Sequence, residues 1–333
     1  MDETKEQLKV IKMKKLGSLL YTCLLLSIPF SGVIAQDKGN HKLAQPGYYR
    51  MKLGDLEITA LSDGTVPLAA DQLLMNTRPG QIDSLLQYNF QALPLEASVN
   101  AYIINTGKEL IMVDAGTAEL YGPTLGHLPE SIRAAGFKPE DIRKILITHI
   151  HTDHTGGLME GDRMVFPNAT VYISRPEVEF WFSDEQLQKA PADKKKYFTE
   201  GRTKVGPYLK AGKVKMFDYG GELLPGITPV ATPGHTPGHT FYAVESKGEK
   251  MLFWGDIMHV APVQFADPAV TIRFDIDPAA AAAARIKAFK EAVQGKYWIA
   301  VDHISFPGIG HLRQRGAGFE WIPVNYSTYG GGQ

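Results

Sequence analysis

Alternating apolar and polar positions mark short strands through the first half of the chain. They fall at Leu56–Ser62, then at Ser98–Asn105 and Leu110–Asp114 on either side of a Thr106-Gly107-Lys108 turn. A helical pattern covers Leu128–Ala135 and is stopped by Gly136. Ile142–Thr148 is a β-rich run that delivers His149 at its C-terminal end. Val171–Ser174 reads as another strand, and Pro176–Gln188 as a helix on which Phe180, Trp181 and Phe182 cluster. The second half repeats the rhythm, with Val214–Asp218, Ile227–Ala231, Thr240–Glu245 and Met251–Trp254 set between glycine- and proline-rich turns. Asp277-Pro278 then opens a helix with an N-cap and an N1 proline; it runs through alanines 279–284 and closes at Gly295. Tyr297–Val301 is a last buried strand, ending at Asp302-His303. Strands lead and helices follow in both halves, which predicts an α/β sandwich of two face-to-face sheets with helices outside.

Composition adds limits to this picture. The 333 residues are 44% hydrophobic and carry a formal net charge of -1, enough for one large domain with a sizeable core. The lack of basic blocks argues against a nucleic-acid partner, because phosphate affinity rests on clustered Lys and Arg. Residues 1–35 read as a secretory signal. Lys12, Lys14 and Lys15 form its positive region, Leu16–Ile28 its apolar stretch, and Val33-Ile34-Ala35 its cleavage positions. Met13 is an alternative initiator to Met1. Residues 36–333 are then expected to be a single domain, periplasmic or secreted, with no membrane attachment after cleavage. Cys23, the only cysteine, would leave with the signal, so no disulfide or thiolate ligand is expected in the mature chain.

Candidate chemistry concentrates after the predicted strands. His149, His151 and Asp153 alternate, which in an extended segment puts them on one face, and a turn at Thr152–Thr155 leading into Gly156-Gly157 would bring His154 round to join them. Nitrogen and carboxylate donors this dense suit a borderline divalent ion such as zinc. Three later segments add His235 in a Pro/Gly turn, Asp256 directly after an apolar strand, and His303 after the last strand. An ionised Asp256 at a strand end is costly unless paired or coordinated, and bridging two cations is one solution. His239 is expected to pack behind its turn or to orient a ligand.

The run His149-x-His151-x-Asp153-His154, followed by His235, Asp256 and His303, resembles the ligand set of the metallo-β-lactamase superfamily. Asp114 in Val113-Asp114-Ala115-Gly116 matches the early aspartate of that superfamily. The resemblance implies a four-layer αβ/βα sandwich with two mixed sheets. It assigns His149, His151 and His235 to a first metal, Asp153, His154 and His303 to a second, and Asp256 to a bridge between them. The segments Pro46–Arg50, Ile58–Thr65, Ser305–His311 and Pro323–Ser327 resemble more narrowly the methyl parathion hydrolase branch and its lactone-hydrolysing relatives. That implies two divalent ions, most simply zinc, a hydroxide shared between them as nucleophile, a small ester or lactone substrate and a homodimer. Asp153 and Asp256 would be the catalytic carboxylates, Asp153 guiding a proton to the leaving group.

By the same resemblance Leu73, Tyr121, Trp181, Phe198, His259 and Phe274 would line the substrate pocket, although for Trp181 ordinary core packing competes. At Leu73 the organophosphate-hydrolysing relatives carry arginine, and at His259 and Phe274 smaller aliphatic residues. Phe274 would crowd a second alkoxy arm on phosphorus yet leave a slot for a planar ring, so aryl lactones or aryl esters are the expected substrates. Organophosphate triester hydrolysis is the alternative main activity. A β-lactamase, a nuclease and a non-catalytic metal-binding protein are weaker readings. The last is disfavoured because no ligand of the set is missing.

Overall fold

The computed structural model describes residues 45–328, so the signal expected over residues 1–35 lies outside the described residues. Seven strands form one mixed sheet in chain order: β1 (Tyr48–Leu53), β2 (Leu56–Leu68), β3 (Leu95–Asn105), β4 (Leu110–Val113), β5 (Ile142–Leu146), β6 (Thr170–Ser174) and β7 (Val214–Phe217). Pairing is antiparallel from β1 to β4 and parallel from β4 to β7. Six more make a second sheet, again in chain order: β8 (Ile227–Ala231), β9 (Thr240–Ser246), β10 (Glu249–Phe253), β11 (Trp298–Ala300), β12 (Ile309–Arg315) and β13 (Gly318–Pro323). There β10 and β11 run parallel and the other pairs antiparallel.

Parallel neighbours require a crossover, and helices supply most of them. Helix α1 (Leu128–Ala134) connects β4 to β5, α2 (Arg175–Trp181) and α3 (Lys195–Lys210) connect β6 to β7, and α4 (Pro278–Gly295) connects β10 to β11. The two-residue period of the strands then sorts side chains into three cores. Ile103, Met112, Ile145, Val171 and Ile173 face outward onto the helices of the first half. Their chain neighbours Tyr102, Ile104, Ile111, Leu146 and Tyr172 face inward and meet Tyr242, Val244, Met251 and Phe253 of the second sheet. The far face of that sheet, with Phe241, Leu252, Trp254 and Ile299, packs on Phe289 and Ala292 of α4. Helix, sheet, sheet, helix: this is the four-layer arrangement that the sequence predicts. Among the described residues no helix is long and apolar enough to cross a membrane.

Three local features differ from expectation. The helix predicted over Pro176–Gln188 is two helices, because Ser183 restarts it: the Ser183 hydroxyl accepts from the Gln186 backbone N–H at 3.2 Å, ahead of Asp184–Lys189. Helix α3 escapes a pattern reading because lysines and an internal Pro207 interrupt its buried positions Phe198, Val205 and Tyr208. Strand β2 runs six residues past Ser62, through a bulge between Ser62 and Gly64. The bulge turns Asp63 inward, where it accepts from Thr117 N (3.1 Å), Thr117 Oγ1 (2.7 Å), Gly126 N (3.1 Å) and Leu128 N (3.0 Å). One buried carboxylate thereby folds the whole 117–128 loop.

The sheets are also tied together next to the last strand. The buried Tyr102 hydroxyl of β3 donates to the carbonyl of Val301, just after β11, at 2.8 Å. Tyr102→Phe is expected to cost about 1 kcal/mol, since Asn100 still reaches that carbonyl at 3.2 Å. A lower urea midpoint with an unchanged m-value would show it.

Candidate metal centre and substrate cavity

Every candidate ligand stands just beyond the C-terminal end of a strand. Strand β5 leads to His149 and His151, after which a single helical turn, Thr152–Thr155, swings Asp153 and His154 back beneath them. Gly156 and Gly157 make this possible, because a Cβ at either would collide with the carbonyl oxygens of Thr117 and Ala115. Strands β8, β10 and β11 lead to His235, Asp256 and His303. The two sheets thus present their ligands along one common edge.

The seven side chains form two groups that share one carboxylate. In the first, His149 Nε2 and His235 Nε2 each lie 3.0 Å from His151 Nδ1, and 3.6 and 3.3 Å from Asp256 Oδ2. In the second, Asp256 Oδ1 lies 3.1 Å from His154 Nε2 and 3.0 Å from His303 Nε2, while Asp153 Oδ2 is 3.3 Å from His303 Nε2. Each oxygen of Asp256 therefore serves a different group, as a bridging carboxylate would.

The outer nitrogens show why the inner ones face each other. His149 Nδ1 lies 3.0 Å from Thr148 Oγ1, whose proton goes to Asp114 at 2.7 Å. His154 Nδ1 meets Asp114 at 2.9 Å and Asp302 at 3.2 Å. His235 Nδ1 meets Asp275 at 2.9 Å, and His303 Nδ1 meets the Ser98 carbonyl at 2.9 Å. Donating outward in this way fixes the tautomers and turns lone pairs inward. His154 Nε2, His303 Nε2 and Asp256 Oδ1 are buried without a hydrogen-bond partner. Converging lone pairs around a carboxylate call for positive charge at their centre, and the donor chemistry fits a pair of divalent cations. Asp114, His154 and Asp302 also cluster, but on the side of His154 that faces away from Asp256, so they orient that imidazole.

Two further residues hold the bridge and the first group. His239, fully buried, accepts from the Asp256 backbone N–H at 3.0 Å through Nε2 and meets Thr232 Oγ1 at 2.8 Å through Nδ1. Burial, helped by nearby His235, pushes its pKa down to about 3, so it stays neutral and can accept. Arg285 of α4 donates to the carbonyls of Ile257 (2.6 Å), Pro268 (3.0 Å) and Val270 (2.5 Å), and lies 3.9 Å from Asp275. It clamps the 256–275 segment, which carries Asp256, His259, Phe274 and Asp275.

Beside the metal groups lies a cavity of about 260 Å³. Its floor is His151, Asp153, Asp256, His259 and His303; its walls are Val66, Leu68, Ala97, Val99, Tyr121, Tyr197 and Phe274, with Lys196 among the lining residues. Three of the six sequence-predicted pocket residues, Tyr121, His259 and Phe274, therefore line it. The other three do not. Trp181 and Phe198 are buried in the core behind His151, where Trp181 lies 5.3 Å from its ring, and Leu73 packs half-buried in the cluster around Leu74 and Ile272. The aromatic stretch of α2 faces inward, so core packing accounts for Trp181. Tyr197, 5.2 Å from the His151 ring, was missed because it sits in the unmarked helix α3. Val66, Leu68 and Ala97 were missed because they lie on strand extensions beyond the predicted ends, and Val99 because nothing in its predicted strand marks which face meets the cavity.

The pattern that defines the metallo-beta-lactamase superfamily matches residues 95–296, more than half of the chain. The chain belongs to the metallo-beta-lactamase superfamily. Among solved superfamily structures it is similar to the hydrolase AbOPH, at 35% identity and a TM-score of 0.82, over 85% of this chain and 99% of that one. It is also similar to AidC, a dizinc quorum-quenching lactonase solved with the product N-hexanoyl-L-homoserine, at 28% identity and a TM-score of 0.79 over the same shares. The N-acyl homoserine lactonase AttM of Agrobacterium fabrum is 34% identical over 73 residues, 21% of this chain. That match spans about a quarter of AttM (26%). The protein is a hydrolase of this superfamily with candidate ligands for a divalent metal pair.

Two outcomes are expected of the centre. Asp256→Asn, which removes the shared charge, should lower bound metal from two equivalents per chain to one or fewer, as read by elemental analysis. In the metal-free protein, protons supply the missing positive charge. Burial opposes this at His235, but the Asp256 and Asp275 carboxylates outweigh it and raise its pKa to about 9; His154 and His303 are likewise held high by Asp256. Metal loading at pH 7 should therefore release protons, and apparent affinity should fall as pH drops below about 9. Calorimetry in buffers of different ionisation enthalpy measures that release.

Proposed function

We propose that this protein is a two-metal hydrolase, zinc being the simplest occupant, that opens the rings of small lactones, aryl lactones foremost, and cleaves related aryl esters. The observation that carries the reading is the cavity: about 260 Å³, mostly apolar, and set directly against Asp153, Asp256 and His303. That is smaller than the roughly 300–1,000 Å³ usual for drug-sized ligands, so a compact ring suits it better than a branched phosphotriester. Phe274, Tyr121 and Tyr197 offer aromatic faces to a flat substrate, each good contact worth on the order of 1 kcal/mol. AidC, named as a quorum-quenching lactonase, and AttM, named as an N-acyl homoserine lactonase, support lactone chemistry as the common ground.

A divalent pair, when bound, supplies Lewis acidity for the carbonyl oxygen and makes water acidic enough to act as a nucleophile near neutral pH. The chain's own residues do the rest. Asp256 holds the two ligand groups at a fixed separation. Asp153 is the more open of the two carboxylates, its side chain 17% exposed against 3% for Asp256, and it borders the cavity. Burial opposes its charge, but the His154 and His303 imidazoles outweigh that and keep it ionised, so it is placed to take the proton shed by the attacking water and pass it to the departing ring oxygen. Tyr121 and Tyr197 stay protonated, since burial and then the Asp153 charge push their pKa values up, to about 12 for Tyr197. Both can therefore donate hydrogen bonds to a bound ester. The aliphatic wall of Val66, Leu68, Ala97 and Val99 excludes water from the ring face.

The test compares kcat/KM for dihydrocoumarin, N-hexanoyl-homoserine lactone, a β-lactam and methyl parathion with the metal-loaded enzyme. The lactones should lead, the aryl lactone first; a clear win for methyl parathion would reverse the substrate assignment in favour of the organophosphate alternative. Phe274→Ala should raise the phosphotriester rate relative to the aryl lactone by roughly tenfold, the scale on which one pocket contact discriminates. Asp153→Asn with both metals retained should lose most of its turnover; full turnover would remove the proton-transfer role.

A further inference from the structure

Glu177, the third residue of α2, is fully buried, and no cationic side chain is among its hydrogen-bond partners. Four donors converge on it. Oε1 accepts from the backbone N–H of Ile150 and from Trp181 Nε1, both at 2.7 Å. Oε2 accepts from Thr236 Oγ1 and from the backbone N–H of Gly238, both at 2.8 Å. Ile150 lies between His149 and His151, and Thr236 follows His235. We propose that Glu177 is a positioning residue for the three-histidine half of the centre, its carboxylate setting the distance between the His149–His151 segment and the turn that carries His235.

The placement supports this directly. His149 and His151 follow β5 of the first sheet, whereas His235 follows β8 of the second, so nothing in the covalent chain fixes their spacing. One carboxylate spans the gap, each oxygen gripping one segment. Gly238 seats the second segment hard against α2, where a Cβ would collide with the Glu177 backbone N and lie 2.6 Å from its Cβ. Ser174 locks the same residue by donating to the Gly238 carbonyl at 2.7 Å. A buried carboxylate is costly unless its lone pairs are filled, and here two main-chain and two side-chain donors fill them. Glutamine cannot replace it. Its amide would point N–H groups at the N–H of Gly238, which has no way to turn, although Thr236 could. Glu177 makes no hydrogen bond to Asp153, His154 or His303, so its influence is confined to one half of the pair.

The inference rests on the two-metal reading of the centre, and the experiment separates them. Chelator-stripped wild type, Glu177→Gln and Thr236→Val are titrated with cobalt(II), following the visible spectrum and the bound equivalents. Thermal unfolding of the stripped proteins reports whether each is folded. Wild type should take two equivalents. Glu177→Gln should bind one of them at least tenfold more weakly, with altered visible bands for that ion, and keep the other. Thr236→Val, which removes one of the four bonds, should shift the same equivalent in the same direction by less, and it carries the test if Glu177→Gln does not fold. Wild-type affinity for both equivalents in a folded variant overturns the inference, as does equal weakening of both. Fewer than two equivalents in wild type overturns the two-metal reading and the inference with it.

Discussion

Buried lone pairs repel one another, and most of this structure is organised around holding several of them close together. His149, His151 and His235 bring ring nitrogens to 3.0 Å contacts, while His154 and His303 press on the second oxygen of Asp256 at similar range. Such a cluster is stable only with positive charge inside it, whether protons or cations. The protein meets that cost by satisfying most of the outward-facing groups: Asp114 and Asp302 behind His154, Asp275 behind His235, the Ser98 carbonyl behind His303, and His239 behind the backbone of Asp256. Without Asp275 or the Ser98 carbonyl, the imidazole of His235 or His303 loses the partner that orients it. The fold reads as a scaffold for keeping them still, since each of the four strands concerned ends within a few residues of its ligand.

Two sheets are needed because no single strand edge can surround a metal pair. The first supplies four ligands from one strand end and the turn after it; the second supplies three from three strand ends. Period-two alternation places the shared core of Tyr102, Tyr242 and Phe253 between the sheets. The Tyr102 hydroxyl and the Glu177 carboxylate then cross from one sheet to the other close to the ligands. Packing thus sets the coarse distance between the ligand sets, and a few polar contacts set the fine one.

Much of this was legible in the sequence. Seven donors at four sites after apolar runs defined the metal set, and the structure gathers all seven in two groups sharing Asp256. The helix capped by Asp277 forms as its signals specify, the Asp277 carboxylate accepting from Ala280 N at 3.0 Å. Legibility failed where a residue's role depends on distant chain. Trp181 and Tyr197 are both aromatic residues on helices near His151, yet one is core and the other cavity wall, and only tertiary packing decides which. Glu177 carries no signal in the sequence, because its four donors lie up to 61 residues away. Likewise the Asp63 bulge leaves no local signal beyond Asp63-Gly64.

The cavity walls divide by what stands behind them. Val66 and Leu68 come from the far end of β2, which neither carries nor orients a ligand, whereas Ala97 and Val99 of β3 flank Ser98, whose carbonyl holds His303. Phe274 is like the latter pair, since its neighbour Asp275 grips His235 and its segment is held by Arg285. Change at Val66 and Leu68 can therefore drift freely and retune the cavity with the ligand groups untouched. At Phe274, by contrast, a new preference is pleiotropic: it perturbs the chemistry as well as the fit. A lineage of such enzymes has one inexpensive route to new substrates and one that demands compensation elsewhere.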